Sequence, residues 1–356
     1  MAGRGAGAAR TCGILRAVAR RRAQCRGRAR SLKRQIQTGG SALSSARRSR
    51  SSTGVSTHEI EVKPPYRLDL TVSALRRAPT NVVDVYTSDG RYLRALRGRT
   101  RPIIVMVTQP RRDALSVSVQ GSRADAAPVI ATIRRMLGTD RSPAPFHRRA
   151  RGIPWLAPLA RRMRGLRPPR YPKLFEACAN AILFQQVGLR AASAIMRRVL
   201  RVAGTEVEHD GVPLVVFPTA ERFLDAEDAT LRTAGLSASK LATLRRAGDA
   251  VATGALTEAM LEELPSDVAG LLLQGIKGIG PWTASVILLR GLGRIDVLPG
   301  NDSGVRANLD RFAGERVTAA SLVEQLGSQR GMAYFCLLLA RLESRGEIGR
   351  ASDVAS

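Results

Sequence analysis

In Leu271–Gly291, LLLQGIKGIGPWTASVILLRG, an apolar helical pattern stops at Gly278-Ile279-Gly280, passes Pro281 and restarts at once. Gly275 can end the first helix with a positive φ. Gly278 and Gly280 permit a tight turn and a close approach to the backbone, and Pro281 suits the first position of the next helix, where no N–H is required. The amides of Gly278, Ile279 and Gly280 then stand free at a helix N-terminus, which is a site for a phosphate, with the charge of Lys277 beside it. The alternative is a plain loop between packed helices, with glycines for closeness. Further on, DVLPGNDSGVRANL places Pro299-Gly300-Asn301-Asp302 before a helix over 303–309. Asp302 suits the N-cap of that helix. Cys12, Cys25, Cys178 and Cys336 show no CxxC spacing, and His58, His147 and His209 are scattered. No zinc or iron–sulfur ligand cluster is expected, nor a disulfide framework, so the expected compartment is reducing.

The elements that must position these residues divide the chain. From His58 to Asp140 the pattern is of strands: Ile60-Glu61-Val62, Leu68–Val72, a hairpin of Val85–Thr87 and Tyr92–Leu96 about Asp89-Gly90, and a pair Ile103–Thr108 and Leu115–Val119. A helix over Ala126–Leu137 follows, with one apolar face. The expectation is a small antiparallel sheet with helices on one side, spanning 58–141. Residues 142–170 read as a basic linker; His147–Arg170 holds eight arginines and no acid, and either crosses the surface beside a bound partner or is a solvated connector. Over 171–350 helices dominate: Phe175–Gln186 and Ala191–Leu200 about Val187-Gly188-Leu189, short helices near Phe223–Leu236, then Leu241–Val251, Leu256–Leu264, Asp267–Gln274 capped by Ser266, and Tyr334–Leu342.

A net charge of +28 and a pI near 11.5 favour a polyanionic partner, nucleic acid above all, bound more weakly as salt rises. Residues 1–57 contain fourteen Lys or Arg and no acid, and cannot bury a core. A disordered basic tail that tethers DNA, a mitochondrial transit peptide and a start codon assigned too early all fit. No apolar run is long enough to span a membrane. The expected location is the cytoplasm, at the nucleoid, with mitochondrial targeting as the lesser alternative.

The run Gln274–Arg306 resembles the helix-hairpin-helix motif of a DNA glycosylase superfamily (HhH-GPD), whose Gly/Pro-rich loop and Asp follow the hairpin as Pro299–Asp302 do here. FEACANAILFQQVGLRAASAI (Phe175–Ile195) is similar to the family's first helix pair, and LRTAGLSASKLATLRRAGDAV (Leu231–Val251) resembles the segment before its hairpin. The likeness covers most of Tyr171–Leu342 and is greatest to the bacterial DNA-3-methyladenine glycosylase II branch, which also carries an N-terminal α/β domain. The resemblance implies an α+β fold: a mainly α-helical glycosylase domain with a small N-terminal antiparallel sheet/helix domain and the basic tail. It implies a monomeric enzyme that flips a damaged base out of double-stranded DNA and hydrolyses its glycosidic bond, with no cofactor required. The alternative is a protein of the same fold that binds damaged DNA without catalysis, or with another specificity.

The same likeness assigns residues. Asp302 is the catalytic carboxylate, which stabilises an oxocarbenium-like sugar and orients or deprotonates a water. Gln185, Trp282 and Tyr334 line the base pocket, and Gln186 holds the place of the wedge that fills the gap. Lys277, Gly278, Ile279 and Gly280 bind phosphate, and the carbonyls of Gln274, Ile276 and Ile279 are where the family hairpin holds Na+ or K+. Bifunctional relatives place a Schiff-base lysine after the hairpin proline; Trp282 stands there, so strand cleavage by that route is not expected. Trp282 also reads as a core residue, and the glutamine pair as a polar helix end. Val286 and Gln329 replace pocket aromatics, and Lys277 a common proline; Tyr334 and Phe335 are the aromatics near enough to compensate.

Overall fold

The computed structural model describes residues 54–300, 303–314 and 317–349. A five-stranded antiparallel sheet, ordered β1-β5-β4-β3-β2, is built from β1 (Gly54–Glu61), β2 (Val85–Tyr86), β3 (Tyr92–Arg97), β4 (Pro102–Arg111) and β5 (Ala114–Gly121). Alternation sets its register. Ile103, Val105 and Val107 of β4 and Leu115, Val117 and Val119 of β5 are buried, with Val105 opposite Val119 and Val107 opposite Val117, so one face is continuously apolar. The hairpin expected at Asp89-Gly90 forms, with Gly90 at φ +84. Of the expected disordered tail, residues 1–53 lie outside the described residues, and Gly54–Thr57 belong to β1.

Leu68–Val72, expected as a strand, is the start of helix α1 (Leu68–Arg76). Leu68, Val72 and Leu75 enter the core shared with the sheet, while Leu70 and Ala74 enter a second core on the other side. A helix with two buried faces reads in sequence as alternation. Helix α2 (Arg123–Leu137) covers the sheet through Val129, Ile133 and Met136. The stretch 142–170, expected as a linker, contains α3 (Ala144–Ala150) and α4 (Leu156–Arg162). Phe146, Ile153, Leu156, Leu159 and Met163 are buried against the last helices of the chain, because apolar residues recur between the arginines at helical spacing while most of the charged heads reach water.

The remaining elements are α5 (Leu174–Leu183), α6 (Leu189–Ala203), β6 (Thr205–His209), β7 (Val212–Val216), α7 (Ala220–Asp225), α8 (Asp228–Thr233), α9 (Ala238–Ala252), α10 (Glu258–Glu262), α11 (Ser266–Gln274), α12 (Pro281–Gly291), α13 (Ser303–Ala313), α14 (Ala319–Leu326) and α15 (Arg330–Ser344). Ser266 is not the N-cap of α11; Pro265 holds that place, and Ser266 Oγ accepts from Arg294 Nη1 at 3.2 Å. The β6–β7 hairpin, absent from the sequence reading, packs Leu214 and Val216 on Leu93 and Ala95 of β3. One apolar core runs from the sheet through α1 into α5, α9 and α12. Among the described residues no helix is long and apolar enough to cross a membrane.

Candidate active site

The hairpin is turned by Gly278, not by Gly275. Gly275 keeps a helical φ of −62, whereas Gly278 sits at φ +100, a region costly for any residue with a Cβ. Space forbids one as well: a Cβ on Gly278 would lie 2.0 Å from Thr243 Oγ1 on α9. The buried Ile279 pins the turn to the core. Its N–H donates to Ile276 O at 2.9 Å, so that amide, expected to be free for a phosphate, is used inside the turn. The amides of Gly278 and Gly280 have no partner among the described residues, and Pro281 opens α12 as expected. Lys277 is exposed, and Arg246 Nη1 of α9 donates to its carbonyl at 3.1 Å, which brings a second cation to the same edge.

Beside the hairpin lies a cleft of about 800 Å³. Its walls come from the α5–α6 turn, the start of α12, the start of α13 and the face of α15 that bears Tyr334. Gln185, Gln186, Trp282 and Tyr334, far apart in sequence, all line it, together with Gly278 and Gly280. Gln185 does more than line the wall: its Nε2 donates to Gly278 O at 3.0 Å and to Thr283 Oγ1 at 2.6 Å, so it fastens the turn to α12. Gln186 is exposed at the tip of the α5–α6 turn with φ +52. Trp282 is half-buried: it packs on the core and also borders the cleft. Asp302 lies outside the described residues; Gly304 and Val305, next along the chain but one, line the cleft.

Three further positions do not line the cleft. Val286 is fully in the core. Phe335 is buried in the second core, edge-on to Tyr334 at 5.4 Å between ring centroids, and does not reach the cleft. Helical spacing explains this, since adjacent residues on α15 face about 100° apart and the cavity face carries Tyr334, Leu337, Leu338 and Arg341. Gln329 sits in a 3-10 turn, Gly327–Gln329, outside the lining.

Sequence reasoning missed Arg77. It follows α1 at φ +61, is 6% exposed, stacks its guanidinium 4.8 Å from the centroid of Phe184, and donates from Nη2 to Tyr334 Oη at 3.3 Å. Arg77 thus carries the N-terminal domain into the cleft wall. Only the left-handed end of α1 aims it there, and that helix had been read as a strand, so no local signal marked it.

Two buried arginines hold these walls in place. Arg290 of α12, 1% exposed, donates from Nη2 to the carbonyls of Ala74 and Leu75 at 2.9 Å, where the end of α1 is partially negative, and lies between the rings of Tyr171 and Phe335. Arg94 of β3 donates to Asp84 Oδ1 at 2.5 Å and to Glu176 Oε2 of α5 at 2.6 Å, and Tyr92 Oη donates to the same Asp84 oxygen at 2.7 Å. Burial opposes charge on Arg94, but Asp84 and Glu176 more than offset it and raise its pKa. Burial pushes Glu176 up to about 7, against the pull of Arg94 and aided by Asp84.

Among the described residues no cluster of three His, Cys, Asp or Glu could hold a metal ion. Of the hairpin carbonyls assigned to a monovalent ion, that of Ile276 also accepts Ile279 N–H, which leaves a lone pair for an ion.

Residues 57–172 match the family model described as AlkA N-terminal domain, and residues 179–330 that described as HhH-GPD superfamily base excision DNA repair protein. The chain is similar to a DNA-3-methyladenine glycosylase of Bacillus subtilis, 29% identical over 177 residues, which are 50% of this chain and 58% of that protein. It is similar to DNA-3-methyladenine glycosylase 2 of Escherichia coli, 27% identical over 256 residues, 71% of this chain and 86% of that one. The structure of a 3-methyladenine DNA glycosylase from Archaeoglobus fulgidus superposes with a TM-score of 0.66 at 28% identity, covering 80% of this chain and 98% of that one.

Proposed function

The chain belongs to the HhH-GPD superfamily of base excision DNA repair proteins and carries an AlkA-type N-terminal domain, and from that premise we propose that it is a monofunctional DNA N-glycosylase that releases alkylated purines such as 3-methyladenine from duplex DNA. One observation carries the reading. Gln185, Gln186, Trp282 and Tyr334 converge on a single cleft beside the hairpin and the start of α13. In this reading the Gly278 and Gly280 amides, with Lys277 and Arg246, grip backbone phosphates and set the register of the duplex. The flipped nucleotide enters the cleft, stacks on Trp282 and meets Tyr334, while Gln186 fills the gap it leaves.

Asp302 is the group for which the reaction is proposed. Departure of the base leaves positive charge on the sugar, and a carboxylate stabilises that charge and orients or deprotonates the attacking water. Cationic bases such as 3-methyladenine are good leaving groups, so a pocket with few aromatics suffices. With Trp282 where a Schiff-base lysine would stand, the abasic strand is left intact. The carbonyls of Gln274, Ile276 and Ile279 hold a monovalent cation beside the phosphate, and no cofactor takes part. The protein acts as a monomer on damaged double-stranded DNA at the cytoplasmic nucleoid.

The test is a set of duplexes with one modified base each, scored for free base and for strand breaks. Asp302→Asn is expected to lower release of 3-methyladenine by about 10²–10³-fold, the usual loss for removing one transition-state electrostatic group, and to leave affinity for undamaged DNA unchanged. If the unaltered protein releases no base, the chain only binds damage. Strand breaks without added base or endonuclease would remove the claim of monofunctionality.

A further inference from the structure

A second basic cleft lies at the other end of α1. Helix α1 runs about 13 Å over its nine residues; Arg77 at its C-terminal end lines the candidate active site, while its N-terminal end approaches Gly165 and Arg167. There a cleft of about 590 Å³ opens between the Lys63–Pro65 loop, α3 and α4. Lys63, Arg148, Arg151, Arg161, Arg164 and Arg167 line it, and none of its lining residues is acidic. The neighbouring Arg162 turns away to pair with Glu343 at 3.0 Å.

Arg167 forms the floor. It is 2% exposed, yet its partners are neutral: Nη2 donates to Lys63 O at 2.6 Å, Nη1 to Gly165 O at 3.4 Å, and the guanidinium lies over the ring of Tyr66. Its Nε has no hydrogen-bond partner among the described residues. A buried cation without a counter-ion is costly, and here it faces further cations. His147, in the same wall, reports the resulting potential: burial and then Arg164, Arg167 and Arg151 hold its imidazole down, to about 4.

We propose that this cleft is a phosphate-binding site, separate from the hairpin, in which Arg167 together with Arg148, Arg151, Arg161 and Arg164 binds phosphate oxygens. Two sources supply that chemistry, the DNA backbone and free phosphate or pyrophosphate. The first rests on the DNA-binding reading above; the second does not. The arginines fit either source, since a guanidinium fork matches phosphate oxygens two at a time.

The experiment uses the full chain and the double variant Arg151→Gln/Arg164→Gln, both exposed and outside the candidate active site. In the first arm, affinity for an undamaged 30-base-pair duplex is followed against KCl. Loss of two phosphate contacts is expected to make the slope of log K against log[salt] shallower by about 1.8, at roughly 0.9 per contact. Arg101→Gln/Arg112→Gln, which removes the same charge from sheet loops, is expected to leave the slope in place. In the second arm, the His147 imidazole is titrated by NMR with inorganic phosphate or pyrophosphate. An anion in the cleft raises its pKa in the parent chain and not in the Arg151/Arg164 variant.

A shallower slope supports the site with DNA as its source. A phosphate-dependent rise at His147 with an unchanged slope supports it with a free anion as the source. No response in either arm, or an equal slope change in the Arg101/Arg112 control, overturns it. Failure of base release in the earlier assay bears on neither arm, because both measure binding without chemistry.

Discussion

Replacing Gly278 with alanine puts a methyl group into the wall of α9, and the cost can be worked from the geometry. The backbone stands at φ +100, which costs an L-residue about 1–2 kcal/mol. The new Cβ meets Thr243 Oγ1 at 2.0 Å, Cγ2 at 2.8 Å and Cβ at 2.9 Å. Thr243 cannot turn aside, because both branches spring from the Cβ that is itself too close, the residue is 4% exposed, and its hydroxyl donates to Ser239 O at 2.8 Å. Overpacking of this kind costs about 1–3 kcal/mol after relaxation, so the two effects together come to roughly 3 kcal/mol. At about 2–4 °C per kcal/mol, Gly278→Ala is expected to lower Tm by roughly 6–12 °C. Affinity for undamaged duplex should fall with it, since any shift of the turn moves the Gly278 amide and breaks the bond that Gln185 Nε2 donates to Gly278 O. Thr243→Ala removes the two nearest atoms but leaves its own Cβ at 2.9 Å, so the double variant should recover part of the steric cost and keep at least the deficit of about 1–2 kcal/mol from φ. Calorimetry on the two single variants and the double variant isolates this coupling. Strict additivity, or a Gly278→Ala protein with unchanged Tm and DNA affinity, would refute the reasoning.

Stability against pH tests the buried triad. The folded state holds the Glu176 proton up to about 7, whereas the unfolded chain releases it near 4.5, so this contribution is full below about 4.5 and is lost as the pH rises to about 7. His147 runs the other way: the folded state keeps it neutral down to about 4, the unfolded chain protonates near 6.5, and stability is gained as the pH rises across that interval. The two oppose over most of the same range, so Glu176→Gln is expected to show Tm rising from pH 4.5 to 6.5 more steeply than the parent, and identical profiles would discard the assignment. Gln185→Leu leaves the buried Thr283 hydroxyl and Gly278 O without this donor, at about 1–3 kcal/mol. Undamaged DNA should then bind more weakly as the turn loosens, whereas a residue that only read the base would alter catalysis on lesions alone.

The hairpin was legible because each requirement fell on a residue type that serves few others: glycine for φ +100 at Gly278, proline for the first turn at Pro281. Gln185 was placed by resemblance, Trp282 by its position after the hairpin proline and Tyr334 as a nearby aromatic, and the fold does bring them to one cleft. Features set by tertiary contact were not legible. Leu68–Arg76 looked like a strand because both sides of the helix are covered, and the apolar positions of 142–170 were hidden among arginines. The β6–β7 hairpin did carry a signal: alternation on both sides of Asp210-Gly211, which adopt φ +50 and +73 as a two-residue hairpin turn requires. The prevailing helical pattern around it masked that signal.

Arg77 shows why the N-terminal domain belongs to the site and is more than a platform for it. A helix fixes its last residues only as well as it is itself held, and α1 is held at its C-terminal carbonyls by Arg290, which stands on the same helix, α12, that begins at the hairpin. Any shift of the hairpin along the axis of α12 therefore pulls on the end of α1, and with it on the guanidinium stacked against Phe184 and bonded to Tyr334. Arg94 fixes the other contact between the domains, from the sheet to α5, the helix that leads to Phe184 and Gln185. With charged groups buried at both junctions, parting the domains would expose or orphan them at a cost of several kcal/mol. The cleft is thus shaped by two domains, and its geometry is set by buried arginine contacts lying well behind the residues that line it.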